Sequence, residues 1–567
     1  MEFDYIIVGG GSAGCVMANR LSAGSARVLL CEAGPDIREG KVPNEIADSY
    51  AGKAYIDSRF QWPDLNVTTR AESHNRDPDA ERPLRRYVQA RVLGGGSSIN
   101  GQLANRGCPA DYQEWVDRGA TGWDWESVLP YFKKLETDAD FDGPLHGKDG
   151  PITIRRVPQE RWSGHAKASA AAFEASGFNY LPDQNGKCVD GYFPIAVSNR
   201  DDQRVTTATA YLDEATRRRP NLTILTETPV VRLIMEGLRC VGVEARVDGK
   251  LQVFRSGEVI LCSGAIYSPT HLLRTGIGPA EDLRALDVDV LVDRPGVGKR
   301  LMDHPSVGIG SFLKPQARMN ASTTRRHMQV GLRYTSGTVD TEGDMFMGSM
   351  GRTAWHSVGL QIGAMAVLIN KTCSDQGEVK LASKQWDINP TVNFNLLADY
   401  RDVERLMDGY RRAAAFLLMP EMQDVYTDLF PASYTEQVIR YGVVSWQNKF
   451  RTGVGKYLMD GPAPLRRYLL GSMISSEYDF ADLMVNDERL EAFVRNTAIG
   501  AWHASCSARM GRADDPMAVT DASGRVHGTE GLRIVDSSIF PVIPSANTNI
   551  PALMCAEKIS DEMLRAR

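Results

Sequence analysis

The apolar positions of the first thirty residues change period twice. Residues 3–8 (FDYIIV) form a short apolar run that stops at three glycines. Residues 12–24 then carry Val16, Met17 and Leu21 at helical spacing, and residues 28–31 are apolar again. Strand, glycine turn, helix and strand in that space predict the opening of a doubly wound sheet. Further strand-like runs lie at 222–225, 230–234, 241–243 and 259–262. The last ends in Ser263, Gly264 and Ala265, small residues that let a ligand approach the backbone. Residues 532–535 read as another short buried strand, capped by Asp536.

From about 316 to 490 the texture differs, with strand-like alternation around 345–370 and helical patterns from 401 to 480. A chain of 567 residues exceeds one ordinary core. The order predicts an α/β fold whose Rossmann-like dinucleotide-binding domain is built from residues 1–150, 190–315 and 490–567. An inserted α+β substrate domain, with an antiparallel sheet and helices, takes 151–189 and 316–489.

A net charge of -6 argues against general affinity for nucleic acid or anionic membranes. The N-terminus has no basic leader and no apolar run reaches transmembrane length, so a soluble cytoplasmic protein is expected. It is expected to be a monomer or a small homo-oligomer. Nine cysteines without a CxxC suggest neither a disulfide framework nor a zinc site. Cys31, Cys262 and Cys555 sit in apolar runs and read as small buried hydrophobes.

Candidate chemistry begins at Gly9-Gly10-Gly11-Ser12-Ala13-Gly14, a GxGxxG with Glu32 eighteen residues after Gly14. Gly9 permits the turn, Gly11 admits a pyrophosphate and Gly14 lets the helix pack on the strand. Glu32, followed by Ala33, can accept hydrogen bonds from an adenosine ribose. The motif alone does not separate FAD from NAD. A second glycine-rich stretch, from Arg91 through Gly95, Ser98 and Asn100, can form an anion-binding nest or a flexible surface loop.

Residues 90–101 (ARVLGGGSSING) and 263–279 (SGAIYSPTHLLRTGIGP) resemble the two signatures of the glucose–methanol–choline (GMC) oxidoreductases. PGVGKRLMDHP at 295–305, WHASCSARMG at 502–511 and GLRIVDSSIFPVIPSANTN at 531–549 resemble further family segments, in family order. Within the family the chain resembles bacterial oxidases of hydroxymethylfurfural and related aryl-methyl alcohols. His271, Thr275, Gly101 and Cys506 depart from the expected pattern, and 440–475 has no evident counterpart.

The resemblance implies bound FAD and an alcohol substrate, with His503 and Asn547 as the catalytic pair. The histidine would take the hydroxyl proton, and Asn547 would hold the substrate oxygen. Asn549 is the competing asparagine, as a turn residue or cap. Ser98 and Asn100 would lie along the pyrophosphate and ribityl chain, and Val231 would present its backbone to the adenine. Asp536 and Ser537 would sit near the ribityl or pyrophosphate, with Thr548 and its neighbours near the flavin ring. Ile99 stands where some relatives bear a flavin-linked histidine, so non-covalent FAD is expected.

Trp502 is a candidate wall for a flat substrate, or a core tryptophan. Molecular oxygen is the expected acceptor, giving hydrogen peroxide. A dehydrogenase using a quinone or protein acceptor is the alternative, and a lyase or photodecarboxylase is a third reading. Residues 440–475 could be a lid, a subunit contact or a solvated helix with Trp446, Phe450 and Tyr457 as its buried stripe; the last is favoured. Arg217-Arg218-Arg219 and Arg325-Arg326-His327 are expected to face solvent.

Overall fold

The computed structural model describes residues 2–70, 84–353, 356–432, 440–443, 445–474 and 478–566. Only the elements that build the site are numbered. The N-terminal third contributes β1 (Glu2–Val8), α1 (Ser12–Leu21), β2 (Val28–Cys31) and β3 (Gly191–Pro194). Next come β4 (Leu222–Leu225), β5 (Val230–Glu236), β6 (Arg239–Val247), β7 (Lys250–Leu261) and α2 (Gly264–Arg274). The middle supplies β8 (Pro305–Leu313), β9 (Met328–Tyr334), β10 (Met345–Met350), β11 (Ile362–Ile369) and α3 (Tyr400–Leu417). The last part holds β12 (Tyr426–Ala432), α4 (Trp446–Met459), α5 (Ala463–Ile474), β13 (Leu532–Ile534) and α6 (Asn549–Arg565).

The first sheet runs β4-β2-β1-β7-β6-β5, with β13 beside the end of β7. β4, β2, β1, β7 and β13 are mutually parallel, whereas β6 pairs antiparallel with β5 and β7. Residues Ile6, Ile7, Leu29, Leu30, Ile260 and Leu261 are fully buried, as a sheet covered on both faces requires. The carboxyl ends of β1, β2, β7 and β13 therefore collect on one edge, where α/β sheets bind ligands.

The second sheet runs β12-β8-β11-β10-β9-β3 and is antiparallel throughout. Its strands β3 and β8 come from segments assigned by sequence to the dinucleotide domain, so the two sheets interleave more finely along the chain. α3 packs its buried Val403, Leu406, Tyr410 and Leu417 in the same apolar cluster as β8, β9, β10 and β11.

Three sequence expectations are corrected here. Cys108 and Cys188 form a disulfide, which joins positions 80 residues apart and so left no local spacing pattern. The two basic runs do not face solvent as units: Arg218 is exposed, but Arg217 pairs with Asp36, and Arg326 is fully buried. Trp446, Phe450 and Tyr457 point outward, whereas Asn448, Thr452 and Met459 form the buried side of α4. Val444 and Ser475 of that segment lie outside the described residues. No helix among the described residues is long and apolar enough to cross a membrane.

Candidate active site

A cavity of ≈ 1010 Å³ lies between the carboxyl edge of the first sheet and one face of the second. That is the upper end for a single small-molecule site, as a dinucleotide plus a substrate requires. At its floor Gly9 has φ +99°, and a Cβ there would meet the Cys262 carbonyl at 2.6 Å. Gly95 has φ +51°, and its Cβ would lie 2.6 Å from the Cα of Gly11. The two glycine loops thus touch beside the N-terminus of α1, whose first amides are free for an anion.

Around this cradle the cavity is lined by Gly9, Gly11, Ser12 and Ala13 from the first loop, and by Glu32 and Ala33 after β2. Arg91, Gly95 and Asn100 line it from the second loop, where residues Gly96–Ile99 form one helical turn rather than a flexible surface loop. Ser263, Gly264, Asp536, Ser537 and Thr548 complete it from β7, β13 and the start of α6. The donors, carboxylates and absent side chains suit a dinucleotide: helix-end amides for the pyrophosphate and Glu32 for a ribose.

Glu32 already accepts from the amides of Gly10 and Gly34, each at 2.8 Å. Burial pushes its carboxyl pKa up, and these amides oppose the shift. Asp536 is similarly buried, with its pKa raised, and accepts from Gly264 N, Ser268 Oγ and Ser538 N. Each Glu32 oxygen, and Asp536 Oδ1, can still accept one more hydrogen bond from a ligand hydroxyl, whereas Asp536 Oδ2 already accepts two.

Three predicted positions do not line the cavity. Ser98 donates its hydroxyl to the Leu93 carbonyl, which ties the second glycine loop together. Val230 lines the cavity in place of Val231, because alternate residues of β5 point to opposite faces. Gly14 sits beneath the cradle, where its Cβ would be 2.0 Å from the Gly9 carbonyl. Its work is to seat α1 on β1.

His503 and Asn547 meet on the cavity wall, next to Ala504 and Thr548. Asn547 Nδ2 lies 2.8 Å from His503 Nε2. The other asparagine, Asn549, instead accepts from Ser12 Oγ at 2.6 Å and opens α6. His503 Nδ1 lies 2.8 Å from Nδ1 of His304, a residue quoted in the 295–305 segment without a role. His304 Nε2 lies 3.1 Å from the Pro544 carbonyl, which can only accept.

These contacts determine the tautomers. His304 must carry its proton on Nε2, leaving the Nδ1 lone pair for His503. His503 must then donate from Nδ1, so its Nε2 is the unprotonated, proton-accepting nitrogen facing Asn547. Burial lowers the His304 pKa to about 3 and also pushes His503 well below its ordinary value, helped by His304. Both rings are neutral at physiological pH.

Asp303 fixes the backbone of this dyad. Its Oδ1 accepts from the amides of His304 (2.8 Å), His503 (2.9 Å) and Ala501 (3.1 Å). Burial raises its pKa to about 7 against the pull of those amides. Met302 and Ser505 exchange backbone hydrogen bonds at 3.0 and 3.1 Å, which sets the two histidine-bearing segments side by side. Sequence periodicity could not reveal this pairing across two hundred residues; the Asp-His pair in a family segment was the available signal.

Trp502 lines the cavity in the left-handed region, at φ 60°, with its ring edge-on to Tyr55 at 5.0 Å between centroids. It is 36% exposed, so it is a cavity wall rather than a core tryptophan. Small residues of the second sheet, including Gly308, Ala364 and Ala366, form the facing wall.

Comparison with known proteins places this geometry among relatives. The N-terminal pattern of the GMC oxidoreductases matches residues 3–306, and their C-terminal pattern matches 373–556. A 5-(hydroxymethyl)furfural oxidase of Methylovorus sp. (strain MP688) is 42% identical over 571 residues, covering 99% of this chain and 98% of the relative. An oxygen-dependent choline dehydrogenase of Paraburkholderia phymatum is 33% identical, covering 99% and 92%. The crystal structure of pyridoxine 4-oxidase from Mesorbium loti is similar at a TM-score of 0.81 and 25% identity, covering 99% of each chain.

Proposed function

The chain belongs to the GMC oxidoreductase family, and on that premise we propose that it oxidises primary aromatic or furanic alcohols to carbonyl compounds. It is an FAD-dependent alcohol oxidase. The observation that carries the proposed chemistry is the His503–Asn547 contact at the cavity wall, in which Nε2, held unprotonated by His304, accepts from Asn547 Nδ2 where a substrate hydroxyl would donate instead.

When bound, FAD supplies the hydride acceptor and the centre that is reoxidised by molecular oxygen, giving hydrogen peroxide. The protein does the rest. His503 Nε2 accepts the hydroxyl proton as the α-carbon gives up its hydride. Asn547 Nδ2 donates to the substrate oxygen and fixes the α C–H direction. Charging His503 requires no rearrangement, since Nδ1 continues to donate to neutral His304. Trp502 and Tyr55 offer aromatic surface to a flat substrate, and the small residues of β8 and β11 leave room for its ring. A hydrated aldehyde presents the same H–C–O–H unit and is a second substrate.

Gly9, Gly11, Ser12, Gly95 and the α1 amides are proposed to hold the pyrophosphate, Glu32 the ribose, and Asp536 and Ser537 the ribityl region. FAD is held without a covalent bond, because Ile99 offers no nucleophile.

The test is to mix the purified yellow protein anaerobically with 5-(hydroxymethyl)furfural, benzyl alcohol and choline, follow flavin absorbance, then admit air. Rapid bleaching by the first two and prompt recovery in air are expected. Bleaching without recovery would move the acceptor from oxygen to a quinone or protein. No bleaching by any aromatic alcohol would end the substrate proposal.

A further inference from the structure

The segment 440–474 does more than line the cavity through Tyr441, Gly442 and Thr452. On α4, Trp446, Phe450, Val454, Tyr457 and Leu458 recur at spacings of three and four and so share one face. That face points away from the protein: Trp446 is 75%, Phe450 68% and Tyr457 79% exposed. The inward face is instead formed by Asn448, Thr452 and Met459. Tyr468, also exposed, extends the patch onto α5. Eight of the twenty large apolar side chains exposed among the described residues fall between 443 and 468, a concentration that scattered surface hydrophobes do not produce.

The local charge is opposite to that of the whole chain. Residues 440–474 hold six basic side chains and one acid, in a protein of net charge -6. The one acid, Asp460, is engaged by Arg318, and Arg466 and Arg467 both bond Asp428, so the positive excess of α4 is carried by Lys449, Arg451 and Lys456. Lys449 and Arg451 flank the aromatic stripe on opposite sides of the helix. Apolar side chains flanked by snorkelling cations, with tryptophan and tyrosine on the outer surface, match a helix lying in a lipid headgroup layer. A second copy of this chain fits less well, because a two-fold contact would set the same cations against one another.

We propose that α4 and α5 form a docking surface for anionic phospholipid bilayers. The same helix presents Thr452 to the cavity, next to Tyr441 and Gly442, so docking sets the cavity roof against the bilayer.

The test is flotation of the FAD-loaded protein with vesicles of phosphatidylcholine containing about 30% phosphatidylglycerol, and with phosphatidylcholine alone. Binding to the anionic vesicles is expected, with a several-fold loss when sodium chloride is raised from about 0.1 to 0.5 M. A Trp446→Ser/Phe450→Ser variant should bind roughly ten-fold more weakly, and a Lys449→Glu/Arg451→Glu variant should lose the preference for anionic lipid. Both variants should retain flavin content and oxidation of a water-soluble alcohol, since none of these side chains lines the cavity. No flotation of the wild type, or flotation indifferent to both variants, overturns the proposal. So does sedimentation equilibrium showing a dimer that Trp446→Ser/Phe450→Ser dissociates, which would assign the face to a second copy.

Discussion

His304 and His503 share a single proton between their Nδ1 atoms, and His503 supplies it. The donor is settled from outside the pair, by the Pro544 carbonyl that His304 must serve through Nε2. One backbone oxygen thereby decides which nitrogen of His503 faces the substrate. The dyad resembles base-and-orienter arrangements in which a third group selects the working tautomer.

Replacing His503 by Ala should slow anaerobic flavin reduction by about 10²- to 10⁴-fold, the usual worth of a positioned base. The variant should remain yellow, because His503 supplies none of the glycine loops, helix-end amides or carboxylates of the dinucleotide cradle. Stopped-flow absorbance measures both. An unchanged reduction rate would falsify the assignment.

His304 lines the cavity but acts through His503, which it positions. His304→Leu removes the acceptor for His503 Nδ1–H and frees the ring to take its other tautomer. The reduction rate should fall by roughly ten- to hundred-fold. His304→Asn, which can still present an oxygen, should recover part of it. A purely structural role would lower stability without this difference between Leu and Asn in the reduction rate.

Stability should have a plateau bounded by histidines on both sides. His165, His271 and His304 are buried, with values lowered to about 4, about 3 and about 3 from an ordinary 6.5. Below 6.5 the unfolded chain binds protons that the native state refuses, so stability falls as pH drops toward 3–4. His146 behaves oppositely. Burial lowers its pKa, but Asp138, Asp183 and Glu136 override this and raise it to about 10. Its contribution is complete below 6.5 and is lost as pH rises through about 10. Thermal unfolding midpoints across pH 4 to 11 should be highest between these limits, and His146→Ala should flatten the alkaline side.

Much of this was legible in the sequence, for physical reasons that differ by element. The strand–glycine–helix–strand opening is local, and its function needs only backbone amides and the absence of side chains. Hence Gly9, Gly11 and Glu32 could be placed from spacing alone. The role of His304 depends on pairing between Met302 and Ser505, which no local period encodes. The stripe at Trp446, Phe450 and Tyr457 has a clear helical period, but a period fixes which residues share a face and not which way that face turns. Charge runs share this ambiguity: Arg326 is buried and Arg218 exposed, although they look alike in sequence.

Gly95→Ala should produce largely colourless protein. The new Cβ would press to 2.6 Å on the Cα of Gly11, and alanine disfavours φ +51°. Flavin-to-protein absorbance after purification should fall roughly ten-fold. In the wild type, acid precipitation should release the flavin entirely into the supernatant, as Ile99 offers no attachment point.

The hydroxyl of Ser12 and the side chain of Asn549 meet across the chain at 2.6 Å, and both line the cavity at the cradle. During translation these residues emerge far apart in time. The first glycine loop leaves the ribosome more than 500 residues before Asp536, Asn547 and Asn549. A nascent chain can therefore assemble β1, α1 and β2 but cannot retain its dinucleotide. Cofactor capture waits for residues 532–549, and chains terminated before them should accumulate without flavin.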